Sequence, residues 1–520
     1  MASPQIPPLK QQVQQHIQYH IQQRANDNWL IGCSSNQWAE QVEHWQRILR
    51  ARDREFNHFI NNKPVGTRQC RVPTGELALN SILAPNTANP PRIVLAESDP
   101  TRFLAGLIAA AAADGSVFLT HPNQSGPEWD RLLNLVDPDL IWGRERGTGN
   151  GERGTGRRAE GRGQKAEGRR DEICNLWGKI LVPTGGSSGQ VRFAIHTWET
   201  LMASVTGFKQ YFQLASVNSY CVLPLYHVSG LMQFLRSFTS GGRLAIQSFK
   251  DLAAGKILAV DPAEFFISLV PTQLQRLLDR GMGGWLSQFH MILLGGAPAW
   301  PDLLAQAQKQ QLRLAPTYGM TETASQIATL KPKHFLRGDR SCGQVLPHAK
   351  VMILDPEGRE LEVDRVGAIA IQASSLALGY YPPSPPFDPT LHPYFQTDDL
   401  GFLDRHHHLH ITGRSSDKII TGGENVFPAE IEAVIRASHL VVDVCVFGIP
   451  SPQWGQAIVA AYIPINSAVS IAQLKDAIAD RLSPFKRPKH WVAVKQLPRN
   501  AQGKLNRTQI AQMVQDPIIS

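Results

Sequence analysis

Short apolar runs alternate with helical patterns through the first two thirds of this chain. RIVLAES (92–98), SVFLTH (116–121), SYCVLPL (219–225), GRLAIQ (242–247), EFFISLV (264–270) and MILLGGAP (291–298) are such runs. Runs this short, bounded by turn residues, read as buried strands. Between the first two lies FLAGLIAAAAA (103–113), which stops at Asp114-Gly115 and is too short to span a bilayer, so it reads as a buried crossover helix. Strand, helix and strand in repeated succession require layered α/β architecture with largely parallel sheets. After Thr197, a good N-cap, WETLMASVTGFKQYF puts Leu201, Val205, Phe208 and Phe212 on one helical face.

From about residue 350 the texture changes. AKVMILDPEGRELEVDRVGAIAIQA reads as antiparallel strands joined by turns, and LGFLDRHHHLHITGR (400–414) as a hairpin. A compact pattern of strands and helices follows, with a domain boundary expected at 413–416. The expected fold class is therefore α/β. A large N-terminal domain, 1–413, combines layered α/β subdomains with a β-rich one. A small, mobile α+β domain, 414–520, completes the chain.

The formal charge of +8 raises the question of nucleic acid. Residues 143–170 answer it: nine Lys/Arg against four Glu contribute +5, in a Gly/Arg tract with imperfect repeats and no aromatic residue. Such a segment cannot offset its own ordering entropy and reads as a disordered low-complexity insert. The rest is near neutral, so no nucleic-acid partner is expected. Cys33, Cys70, Cys174, Cys221, Cys342 and Cys445 form no C-x-x-C pair, which argues against zinc and disulfides and fits a reducing cytoplasm. The Gln-rich N-terminus lacks the apolar core of a signal peptide. His406, His407 and His408 fall at a hairpin tip, where adjacent side chains diverge rather than converge on a metal.

Chemistry enters with PTGGSSGQVRF (183–193). Thr184, Gly185, Gly186, Ser187, Ser188 and Gly189 offer backbone and hydroxyl donors to an anion. Gln190 after Gly189 breaks the Walker pattern, so the loop has no lysine of its own. LPLYHVSG (223–230), PTYGMTET (316–323), YFQTDDLG (394–401), GRSSDKIITGGENV (413–426) and NAQGKLNR (500–507) follow in order. Any one is weak; the ordered set, spanning about 90–510, resembles the adenylate-forming enzymes, which include acyl-CoA synthetases, adenylation domains and luciferases.

The resemblance implies a two-step reaction. ATP activates a carboxylic acid as acyl-AMP, and the thiol of coenzyme A then displaces AMP. It implies that Lys504 enters from the C-terminal domain as the catalytic cation, and that the glycine-rich loop holds the β- and γ-phosphates. Arg192 stands where the family usually has lysine. Glu322 would bind Mg²⁺, which suits one carboxylate plus phosphate oxygens. Thr321 would donate to the α-phosphate, with Thr317, Gly319 and Met320 beside it. Tyr318, Gly295, Gly296 and Ala297 would line the adenine, and Asp399 would accept from the ribose. The family's T-G-D is here Thr397-Asp398-Asp399, so its glycine is lost. Arg414 opens the hinge, whose pivot is either Ser416, at a position often aspartate, or Asp417. Gly422, Gly423 and Glu424 resemble the loop that closes for thioester formation. Lys486 and Arg487 are either contacts for coenzyme A phosphates or a solvated face. His227 would stand at the acyl-pocket wall near the reacting carboxylate.

The likeness is strongest to o-succinylbenzoate–CoA ligases of menaquinone and phylloquinone synthesis. Arg236, nine residues beyond His227, is then a candidate to bind a second carboxylate; its other reading is a solvent-facing arginine. The alternatives are a fatty or aryl acyl-CoA synthetase, or a stand-alone adenylation protein that does not use coenzyme A. No carrier domain is expected after Lys504. Homo-oligomerisation is left open.

Overall fold

The computed structural model describes residues 9–24, 29–31, 38, 40–42, 91–113, 115–143, 176–184, 192–383, 394–421, 424–499 and 505–519. All of the insert 143–170 except Gly143 lies outside them, as do Gly185, Gly186, Ser187, Ser188, Gly189, Gly422, Gly423 and Lys504.

Two α/β sheets make the body. One has eight strands, in the order Leu30–Ile31, Leu244–Ile246, Ser219–Cys221, Phe266–Leu269, Met291–Leu294, Leu314–Met320, Ser325–Thr329 and Gln344–Val345. Its first six strands run parallel and its last two antiparallel. The other runs Tyr380–Tyr381, Arg192–His196, Ile180–Thr184, Ser116–Leu119, Arg92–Leu95, Leu140–Trp142. The apolar run at 103–113 lies in a helix, Pro100–Ala112, whose Leu104, Ala105 and Ile108 are fully buried. Asp99 caps it by accepting from the Arg102 amide at 2.9 Å. The parallel core follows from that run, because a helix apolar all round must be covered on every side.

The helix Trp198–Phe212 starts where Thr197 accepts from the Thr200 amide at 3.2 Å. Leu201, Val205 and Phe208 face the core, and Phe212 is half-buried at its end. Beyond it, Ala349–Leu354, Gly367–Ala373, Phe395–Leu403 and Leu409–Arg414 form an antiparallel sheet. Its last two strands are the hairpin expected at 400–414. At its tip His406 and His407 are exposed, while His408 turns inward to Asp339 at 2.9 Å.

After Arg414 the chain changes sheets. Ile419–Thr421, Glu424–Val426, Val441–Ser451, Gly455–Pro464 and His490–Ala493 form a separate five-stranded sheet with its own apolar core of Ile431, Ile435, Val444, Ile458 and Leu474. No helix among the described residues is long and apolar enough to cross a membrane.

Candidate active site

The strand Leu314–Met320 leads from the parallel core into a tight 3₁₀ turn, Thr321–Thr323, before the chain reverses into Ser325–Thr329. The reversal is held in left-handed backbone at Ala324 (φ 50°) and Ser325 (φ 90°), both non-glycine. A Cβ on Gly319 would lie 2.1 Å from the Ser325 carbonyl oxygen, so only glycine fits the crossing. This strained turn presents Tyr318, Thr321 and Glu322 at one sheet edge.

Two buried carboxylates lie along it. Asp399 accepts from the Tyr318 hydroxyl at 2.7 Å and from Arg414 Nε at 3.0 Å. Burial and then Asp399 push the Tyr318 phenol well above its ordinary pKa, so it stays a donor. Glu322 accepts from the Tyr380 hydroxyl at 2.7 Å through one oxygen. The ring of Tyr380 carries the Arg192 guanidinium on its face, 3.9 Å from the centroid. Arg192 pairs across the strands with Thr184, and together they close the neck of the loop 185–191. One carboxylate, a flanking cation and no cluster of three or more ligating side chains among the described residues is a donor set that fits Mg²⁺ held mostly by substrate phosphate.

The turn is also tied from below. His196, fully buried, donates from Nε2 to the Thr321 carbonyl oxygen at 2.8 Å. Burial pushes its pKa down to about 4, so the ring is a neutral donor. Neither Tyr380 nor His196 stands out in the sequence as a site residue. Tyr380 sits in a two-residue edge strand and His196 in an ordinary apolar strand; their partners are 58 and 125 residues away.

Gly295 follows the strand Met291–Leu294, where a Cβ would lie 3.2 Å from the Thr317 carbonyl oxygen. Gly296 adopts φ 80°, and Ala297 continues the exposed turn. His227 caps the start of the helix Val228–Ser240 and is buried, with Nε2 unpartnered among the described residues. Burial, reinforced by His121, lowers its pKa to about 4. Arg236 lies on the buried face of that helix, 3% exposed, which corrects the solvent-facing reading. It has no ion-pair partner among the described residues. Its guanidinium stacks on Phe208 at 4.2 Å, Nη2 donates to Ser325 Oγ at 3.3 Å, and Nε is unpartnered. Burial pushes its pKa down to about 9.

The hinge segment is held at both ends. Asp398 accepts from the Ser416 amide at 3.0 Å and from its hydroxyl, and the Ser415 amide donates to the Asp398 carbonyl at 2.7 Å. Asp417 instead pairs with Arg507 at 3.4 Å. Glu424 is exposed in its strand. Lys486 is paired with Glu430 at 2.6 Å, and Arg487 donates to the Leu482 carbonyl at 3.0 Å.

The AMP-binding enzyme profile matches residues 178–381, and that of the AMP-binding enzyme C-terminal domain matches 430–504. A 2-succinylbenzoate–CoA ligase of Enterococcus faecalis is 32% identical over 331 residues, 62% of this chain and 67% of that one. One from Listeria innocua is 32% identical over 352 residues, 65% and 72%. Among solved structures, the o-succinylbenzoate CoA synthetase of Bacillus subtilis with its acyl-adenylate intermediate superposes with TM-score 0.73 at 22% identity, covering 94% of this chain and 97% of that one. ATP-bound MatB of Rhodopseudomonas palustris gives 0.69 at 20% identity, covering 92% and 93%. The fold is the adenylate-forming fold, and the chain belongs to the AMP-binding enzyme family.

Proposed function

We propose that this protein is an ATP-dependent, AMP-forming acid–CoA ligase that converts 2-succinylbenzoate to its coenzyme A thioester for quinone biosynthesis. The observation that carries the reading is a pair of buried carboxylates, Glu322 on the strained turn and hydrogen-bonded to Tyr380, and Asp399 on the strand Phe395–Leu403 and hydrogen-bonded to Tyr318 just before that turn, in a chain similar along much of its length to 2-succinylbenzoate–CoA ligases.

Adenine stacks on Tyr318 beside Gly295, Gly296 and Ala297, and the ribose hydroxyls donate to Asp399 with Arg414 alongside. Residues 184–189 receive the β- and γ-phosphates through backbone and hydroxyl donors, with Arg192 released from Tyr380 to meet them. Glu322 would hold Mg²⁺, which when bound would supply neutralisation of phosphate charge. Thr321 donates to the α-phosphate. The acid carboxylate approaches past neutral His227, which adds no negative charge. Lys504 offsets the charge that develops between carboxylate and α-phosphate. Gly422, Gly423 and Glu424 close over the pantetheine arm in the second half-reaction.

This division of labour makes 1–413 the binding body and 414–520 a mobile domain that delivers Lys504, with Ser416 or Asp417 as pivot. Arg236, buried without a counter-ion among the described residues, favours an acid with a second carboxylate over a plain fatty acid. The free thiols Cys221, Cys342 and Cys445 are compatible with a reducing cytoplasm. The test is an acid panel assayed for pyrophosphate release with ATP, with and without coenzyme A. Turnover confined to 2-succinylbenzoate supports the reading. Turnover of fatty or plain aryl acids, or indifference to coenzyme A, replaces it with one of the alternatives.

A further inference from the structure

The helix Trp198–Phe212 carries a glycine, Gly207, on its buried side. Glycine within a helix costs about 1 kcal/mol relative to alanine, so its presence calls for a steric reason. The reason is His348: a Cβ on Gly207 would lie 1.9 Å from His348 Nδ1. The imidazole is thus pressed against the helix backbone, with Nδ1 and Nε2 both buried and both without a partner among the described residues. On the next residue, Phe208, rests the guanidinium of Arg236. Gln233, three residues before Arg236 on the same helix, is 2% exposed with an unpartnered Oε1.

Buried polar atoms are nearly always hydrogen-bonded, and those without a partner on Arg236, on Gln233 one turn before it, and on His348 packed against the residue next to Phe208 are groups a ligand could satisfy. The sign of that ligand is set by the positive charge of Arg236. After burial, that charge is the second cause that holds the His348 pKa down to about 4. The other polar contact on this residue is from Ser374, which donates to the His348 carbonyl at 3.2 Å. An incoming carboxylate would relieve both groups, since its two oxygens accept from the guanidinium and from an imidazole N–H.

We propose that His348 and Arg236 together hold the second carboxylate of the acid, which makes His348 a specificity-determining residue of this enzyme. The proposal rests on the reading that the substrate is a dicarboxylic acid, and it explains selectivity by exclusion. A monocarboxylic acid in the same pocket would leave buried donors unpaired, a penalty that apolar contacts cannot recover.

The experiment compares 2-succinylbenzoate with the analogue whose second carboxylate is replaced by hydrogen, in the wild type, His348→Leu and His348→Gln. His348→Leu should raise KM for the dicarboxylate roughly tenfold or more, the scale of one hydrogen bond to a charged group. KM for ATP and for the analogue should stay within about twofold, and His348→Gln, which keeps a donor, should recover part of the loss. Equal shifts for both acids, or none for either, overturn the role of His348. A wild type that turns over the analogue as well as the dicarboxylate overturns the functional reading beneath it, and that is visible before any variant is made.

Discussion

Two arginines, Arg507 half-buried and Arg236 buried, show how differently the two ends of the molecule use positive charge. Arg507, in the C-terminal part, donates to Glu432 at 2.6 Å and to the Val446 carbonyl at 2.6 Å, and it reaches Asp417. Burial disfavours its charge, but the carboxylates outweigh burial and raise its pKa. Arg236, in the body, stacks on an aromatic ring, touches one serine hydroxyl, and its pKa falls. A paired cation serves the architecture, whereas one buried with no counter-ion among the described residues carries a desolvation cost that an anionic ligand would offset. Their substitution should therefore separate stability from recognition.

The largest expected effect is on the paired side. Arg507→Ala removes the shortest ion pair of Glu432 on the helix Pro428–Arg436, leaving it Arg436 at 3.8 Å and the Val446 amide, and unpairs Asp417; it should cost about 3 kcal/mol of stability, seen as a lower Tm or urea midpoint. An unchanged midpoint would show that the network is ornamental. Lys504, which lies beyond Arg499 and before Arg507, tests whether this anchoring serves catalysis. Lys504→Ala should slow adenylation by about 10²- to 10³-fold, yet spare transfer from supplied acyl-adenylate to coenzyme A. Equal loss in both half-reactions removes Lys504 from its role.

Arg236→Met reverses the pattern. The Tm should hold or rise, because an uncompensated buried charge is removed, while KM for 2-succinylbenzoate rises by about 10- to 100-fold. A collapse in Tm would place Arg236 with Arg507 as structural. The comparison extends to pH. His196, His227 and His348 all lie in the body with pKa values near 4, below the unfolded value of 6.5. The unfolded chain then takes up protons first, so their contribution to stability is complete above about pH 6.5 and is lost as pH falls toward about 4. Amide exchange should show the body loosening through that window before the C-terminal sheet; simultaneous loosening would break the contrast. The smallest effect is that of Tyr380→Phe, which frees Glu322 from one hydrogen bond. It should weaken Mg²⁺-dependent activity by about 1 kcal/mol, a several-fold rise in the Mg²⁺ requirement.

Legibility followed the range of each interaction. The alternating runs and the Thr197 cap are local, and the sequence carries them plainly. The hairpin at 400–414 is equally local. The buried position of Arg236 was undecided because a helical pattern does not say which neighbours cover a residue nine positions past a histidine. Tyr380, His196 and His348 left no trace, since each matters only through a partner supplied by the fold. The resemblance named more of the site than periodicity did, because the ordered motifs specify roles rather than shapes.

The two departures from the family pattern around the hinge, Asp398 for glycine and Ser416 for aspartate, meet each other through two hydrogen bonds. Whoever grafts a C-terminal module from a relative onto this body would import aspartate opposite Asp398 and set two like charges face to face. Chimeras of this enzyme must therefore exchange both positions as a unit, one on either side of the splice.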